Sequence, residues 1–216
     1  MRLLYSLMIA LCLSALSACD IDRHEMHDAR QNLSQTIKLH HLHMLINHSL
    51  QMATQGADMN LQGIEHGPAM LVKASGLLER AMTGPEMASM HKFGGATAPL
   101  MKMTHELAAR ATTLIEAMKK LSTLSGDKGA IRMLNHAVEV AATGSSLIML
   151  GQQGMAGDID AVMVNHGQMM LGEASGLLRD ISGADEYRSL VADVVNMLIG
   201  IPDMPVDQGE SQPQGG

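Results

Sequence analysis

Leu39-His40-His41-Leu42-His43-Met44-Leu45-Ile46-Asn47-His48-Ser49-Leu50-Gln51-Met52-Ala53 decides the fold of this chain. At the α-helical period, Leu39, Leu42, Ile46, Leu50 and Ala53 fall on one stripe. Ile37, His41, Met44, His48 and Met52 fall on the opposite side, with His40 and His43 on the flank. A single apolar stripe at that spacing is a helix with one core face. Ala, Leu, Met, Glu, Gln and Lys dominate the remainder, and all are good helix formers. No run shows the Val/Ile/Tyr/Thr alternation of a strand. The chain is expected to be all-α.

Helix punctuation extends this reading along the chain. The first helix is expected from about Ile21 or Arg23 to Thr54, stopped by Gln55-Gly56-Ala57, with Asp58 capping the next. Thr83-Gly84-Pro85 ends that second helix. Residues 85–98 read as irregular, with one turn around Glu86–His91, and Pro99 suits the first turn of a helix ending near Leu124. Later helices are expected over 128–150, 158–181 and 185–199. Residues 202–216 are rich in Gly, Gln, Pro and Asp and are expected to be disordered.

The chain repeats itself. His66-Gly67-Pro68-Ala69-Met70-Leu71-Val72-Lys73-Ala74-Ser75-Gly76-Leu77-Leu78 and His166-Gly167-Gln168-Met169-Met170-Leu171-Gly172-Glu173-Ala174-Ser175-Gly176-Leu177-Leu178 agree at nine of thirteen positions. Upstream, Ser49-Leu50-Gln51-Met52 pairs with Ser146-Leu147-Ile148-Met149, and Asp58 with Asp158 as caps. The expected architecture is a helical bundle of about six helices in two related three-helix halves, 34–125 and 126–201. Ala74-Ser75-Gly76 and its copy offer small side chains where helices could approach.

Histidine and methionine carry the chemistry. Seven His–Met pairs are spaced by four: His40/Met44, Met44/His48, His48/Met52, His66/Met70, Met87/His91, Met101/His105 and His166/Met170. Chance placement gives about two. Residues four apart share a helix face, so each pair puts an imidazole nitrogen beside a thioether sulfur, a donor set that suits Cu(I). Two clusters are expected to bind copper: His41, Met44, His48 and Met52 in the first, and His66, Met70, His166 and Met170 in the second. The second forms only if the two halves bring those faces together. Met87, Met90, His91, Met101, Met103 and His105 read either as a Met/His loop or as hinge and packing residues. Packing explains methionine stripes equally well, because Met fills core gaps in a chain so poor in aromatics. His136, on a Leu/Val-rich face, is expected to be a satisfied core histidine, and His24 and His27 to be solvated tether residues.

The N-terminus speaks to location. Arg2 precedes an apolar run, Leu3 to Leu13, too short to span a bilayer and of signal-peptide type. It ends in Leu16-Ser17-Ala18-Cys19, which resembles the lipobox of bacterial lipoproteins. The resemblance implies removal of residues 1–18 and lipidation of Cys19, with residues 19–33 as lipid anchor and start of the first helix. Asp20 then resembles the inner-membrane retention signal of such lipoproteins, which implies a periplasm-facing protein joined to the membrane through lipid. Loss of Arg2 with the leader leaves 14 basic against 22 acidic side chains, a balance of −8. No basic patch stands out, so nucleic acid is not an expected partner. Loss of Cys12 and lipidation of Cys19 leave no free thiol, which fits an oxidising compartment.

Several chemistries are missing. His24-Glu25-Met26-His27 lacks the zincin spacing. There is no Glu-x-x-His, no CxxCH for covalent haem, no phosphate-binding glycine loop and no Gly-x-Ser-x-Gly. The chain is not expected to be an enzyme. Three functions stay open: a lipoprotein that binds or buffers copper, with a metal donor or acceptor protein as partner; an interaction module whose Met-rich faces grip partner helices; and non-covalent haem held by one His and one Met.

Overall fold

The computed structural model describes residues 2–89, 93, 97–124, 126–154 and 157–201, with the backbone alone for 2–25, 28, 29, 32 and 122. It is all-helical, with no strand among the described residues. The expected disordered tail, 202–216, lies outside them, as do Met90 and His91. The helices are α1 (Arg2–Leu61), α2 (His66–Thr83), the single turn α3 (Pro85–Ala88), α4 (Thr97–Lys119), α5 (Lys128–Gly151), α6 (Asp158–Asp180) and α7 (Asp185–Gly200), with a 3₁₀ turn at Leu121–Thr123. None of the described helices is long and apolar enough to cross a membrane. The chain divides into two units, residues 1–38 and 39–216. The first contains the N-terminal part of α1; the second is a helical bundle.

In the bundle the expected stripe of Leu39, Leu42, Ile46, Leu50 and Ala53 is buried throughout. At about 1.5–3 kcal/mol for each large apolar side chain, it anchors α1 to its neighbours. Buried residues lie on nearly every side of α5, from Ala130 to Met149, as expected of a central helix. It packs on α6 and α7, while α4 packs on α2 and α7. Asp127 caps the start of α5, its carboxylate accepting from the Gly129 amide at 2.8 Å.

The first helix does not stop at Gly56; it continues to Leu61, and the next begins at His66. A Cβ on Gly56 would stand 2.9 Å from Met70 Cβ, and one on Gly67 only 2.5 Å from the Asn60 nitrogen. Gly56 is thus where α1 and α2 cross at backbone contact, and this approach offsets the helix cost of glycine. The α5–α6 hairpin has the same crossing. A Cβ on Gly144 would stand 3.0 Å from Met170 Cβ, and one on Gly167 2.5 Å from the Gly144 carbonyl oxygen. Burial also repeats residue for residue between 66–80 and 166–180. Gly76 and Gly176, by contrast, face open space, so the close approach is not at the Ala-Ser-Gly segment.

Matching Gly56 to Gly144 changes the register expected upstream. Asn47-His48 corresponds to Asn135-His136 and Ala53 to Ala141, instead of 49–52 to 146–149. A polar ladder between α1 and α5 obeys the same correspondence. Asn47 Nδ2 donates to Ser146 Oγ at 2.8 Å, and its counterpart Asn135 Nδ2 donates to Asp58 Oδ1 at 2.7 Å. Gln51 Nε2 donates to Thr143 Oγ1 at 2.9 Å, and Gln55 Nε2 to Glu139 Oε1 at 3.4 Å. Asp58 is therefore a ladder residue inside α1 and not a cap, and Asp158 is the first residue of α6, whose N-cap is Gly157 without a side-chain cap bond. Burial pushes the Asp58 carboxyl above its ordinary range. Tyr187 OH donates to Asn135 Oδ1 and joins α7 to the ladder. His136, expected in the core, is exposed.

Candidate functional site

The His/Met chemistry concentrates where α1, α3 and α4 meet. Pro85 fixes the first turn of α3, and Ser89 closes it with its amide donating to the Pro85 carbonyl at 3.0 Å. So short a helix holds Glu86 half-exposed and Met87 buried. His105, from the third turn of α4, places Nδ1 3.4 Å from Met87 Sδ. His41 Nδ1, from α1, lies 3.6 Å from Glu86 Oε1. With His41 59% exposed, that contact adds little to stability.

The Met87–His105 separation has chemical meaning. Metal–nitrogen bonds of ~2.0 Å and metal–sulfur bonds of ~2.3 Å at a tetrahedral angle hold nitrogen and sulfur about 3.5 Å apart. The observed pair matches that bite, and with no metal it is a weak hydrogen bond to sulfur. Sequence spacing pairs His105 with Met101. The fold instead buries Met101 in the core and turns His105 toward Met87, eighteen residues away. Among the described residues no three His, Cys, Asp or Glu side chains gather closely enough to hold an ion. A site in this region therefore depends on methionine sulfur.

In the first expected cluster, His41 and His48 are exposed and Met44 and Met52 half-buried, with Met52 packed against the core. At ~1.5 Å rise per residue, His41 and Met52 stand about 16 Å apart along α1. The four cannot share one ion, although neighbouring pairs can. In the second, His66 and His166 are exposed, while Met70 and Met170 are half-buried at the two glycine crossings, Met170 packing against the core. The ladder pairs Gln51 with Thr143 and Gln55 with Glu139, so Gly144 lies level with about residue 50 of α1. The crossings are then displaced by about 9 Å along it. Each repeated His/Met pair has its own crossing, and the repeated methionines have a packing role there.

The residue missed by sequence reasoning is His43. It is 0% exposed. Its Nε2 lies 2.8 Å from Ser145 Oγ, and its Nδ1 has no hydrogen-bond partner. Burial, helped by the charge of neighbouring His40, pulls its pKa down to about 3, so it is a neutral ring at any pH near 7. The signal was present: His43, Asn47, Gln51, Gln55 and Asp58 form a polar stripe at helical spacing, invisible as an interface until α5 supplies the partners.

Comparison with known proteins gives no match, whether to a family model, a curated protein or a solved structure.

Proposed function

We propose that this protein is a lipid-anchored, periplasm-facing helical protein that binds or buffers a soft metal ion, copper(I), through its histidines and methionines, and that it does so as two related halves. The observation that carries the reading is the 3.4 Å separation of His105 Nδ1 and Met87 Sδ, the bite of two donors on one tetrahedral ion. His41 and Glu86 lie beside that pair, and His48, His66 and His166 are exposed to take up or hand over ions. Neutral thioethers bind without losing a proton, while imidazoles must be unprotonated. Affinity therefore falls as pH drops below the ordinary imidazole value of about 6.5.

The test is competition against a Cu(I) chelator of graded strength. Met87→Leu, which conserves volume and costs less than ~1.5 kcal/mol, is expected to weaken the tightest site at least tenfold, as is His105→Gln, with helicity unchanged. Identical copper affinity in both variants would remove this pair from the function.

A second reading, a partner-binding module, is favoured by one observation. Ile159, Val162 and Met169 on α6 are 61%, 65% and 70% exposed and fall with His166 on a single helical face. Wild-type protein that takes no Cu(I) from even a weak chelator would leave this reading as the better one.

The anchor has its own test. Cys19, whose side chain lies outside the described set, is expected to carry lipid. Cys19→Ala should move the protein from the membrane to the soluble fraction, or leave the precursor uncut. Normal processing and membrane retention of the variant would overturn the assignment.

A further inference from the structure

The two halves differ at one repeated serine. Ser75 and Ser175 hold the same place in the repeat and are both half-buried. In the first half the space beside it is filled from within: Lys119 Nζ donates to Ser75 Oγ at 3.0 Å and to Glu116 Oε1 at 2.6 Å. In the second half Ser175 borders an open groove of about 470 Å³ between the end of α6 and α7. Ala192 of α7 lines the same groove and is too short to fill it as the lysine does in the first half.

Two guanidiniums line that groove. Arg188 is held in place, its Nε and Nη2 donating to the Leu178 carbonyl at 3.2 and 2.7 Å, which leaves Nη1 for another acceptor. Arg179 is exposed and makes no ion pair among the described residues. Ser189 and Asn196 add polar groups. One carboxylate, Asp185, also lines the groove and pairs with neither arginine. In a chain of net charge −7, two guanidiniums against one carboxylate give the groove lining a positive balance. Planar guanidinium forks match carboxylate and phosphate oxygens, and the volume falls in the range of small-ligand sites.

We infer that the groove between α6 and α7 binds the carboxylate or phosphate group of a small solute, held by Arg179 and Arg188 with Ser175 beneath it. Asp185 on the same groove favours a solute that also carries a hydroxyl or ammonium group. The inference is independent of the metal reading.

The experiment is amide and arginine Nε chemical-shift titration of the isotopically labelled protein with inorganic phosphate and, separately, with succinate. Ionic strength is held near ~0.15 M to screen loose surface association. Saturable shifts are expected at Ser175, Arg179, Arg188 and Ser189 with at least one probe, and the one that saturates first tells phosphate from carboxylate. A charge-assisted hydrogen bond contributes about 1.5–3 kcal/mol, so Arg179→Gln is expected to weaken binding about tenfold or more. Ala192→Lys, which copies the filling seen in the first half, is expected to abolish it with the helical spectrum unchanged. Lys119→Met, in the other half, should leave it intact. No saturable shift with either probe, or equal affinity in Arg179→Gln and folded Ala192→Lys, overturns the inference.

Discussion

Gly67→Ala and Gly167→Ala are each expected to lower the stability of the bundle by about 3 kcal/mol, at the upper end of overpacking costs. A Cβ at Gly67 would meet the Asn60 nitrogen at 2.5 Å and the Gly56 carbonyl oxygen at 2.8 Å. One at Gly167 would meet the Gly144 oxygen at 2.5 Å and Ile148 Cγ1 at 2.6 Å. Most of these neighbours are backbone atoms of a packed helix, which can move only if the crossing opens. The same change at Gly76 or Gly176, where nothing lies within 4 Å, is expected to stabilise by about 0.5–1 kcal/mol through helix propensity. Urea midpoints for the four variants check both signs at once. Equal effects at all four positions would contradict the paired crossings.

Acid is expected to unfold the bundle through His43. Its folded pKa of about 3 lies far below the ordinary value of about 6.5. Between those values the unfolded chain binds a proton that the folded protein refuses, so the stability present above about pH 6.5 is lost as pH falls. The slope is about 1.4 kcal/mol per pH unit for this one group. His40, also lowered by burial, acts in the same direction. Asp58 does not, because its pKa is raised: its contribution is present at low pH and lost as pH rises through the folded value. Removing both members of the buried pair with His43→Leu and Ser145→Ala avoids leaving one partner unsatisfied. The double variant is expected to show a shallower fall in unfolding free energy, from urea titration, between pH 6.5 and 4.5 (about 2.3 kcal/mol less). An unchanged slope would mean that His43 does not carry the acid sensitivity.

Local pattern reveals most of this fold because helices are local. The stripe from Leu39 to Ala53, the break at Gly84-Pro85, and the limits of α5, α6 and α7 all follow from spacing and capping. The failures share one cause. Gly56 and Asp58 have the local chemistry of a helix stop and a cap, and only the partners across the interface, Gly67 for one and Asn135 for the other, keep them inside α1. The Asn-His match between 47–48 and 135–136 is hidden because the α5–α6 hairpin is longer than the α1–α2 hairpin. The single repeat offset that aligns 66–78 with 166–178 therefore fails upstream of the turn. The site follows the same rule. Spacing by four finds His–Met pairs on one helix, but the contact at 3.4 Å joins α3 to α4, and no periodicity within a helix reports a contact between two.

The most direct measurement of the central claim is equilibrium competition between the wild-type protein, from Cys19 onward but unlipidated, and a colorimetric Cu(I) chelator at neutral pH, repeated at pH 5. Withdrawal of copper from the chelator at pH 7, weakened at pH 5 and weakened again by Met87→Leu, is the expected result. Protein that leaves the chelator fully loaded at pH 7, even when the chelator is a weak one, contradicts soft-metal binding by this bundle.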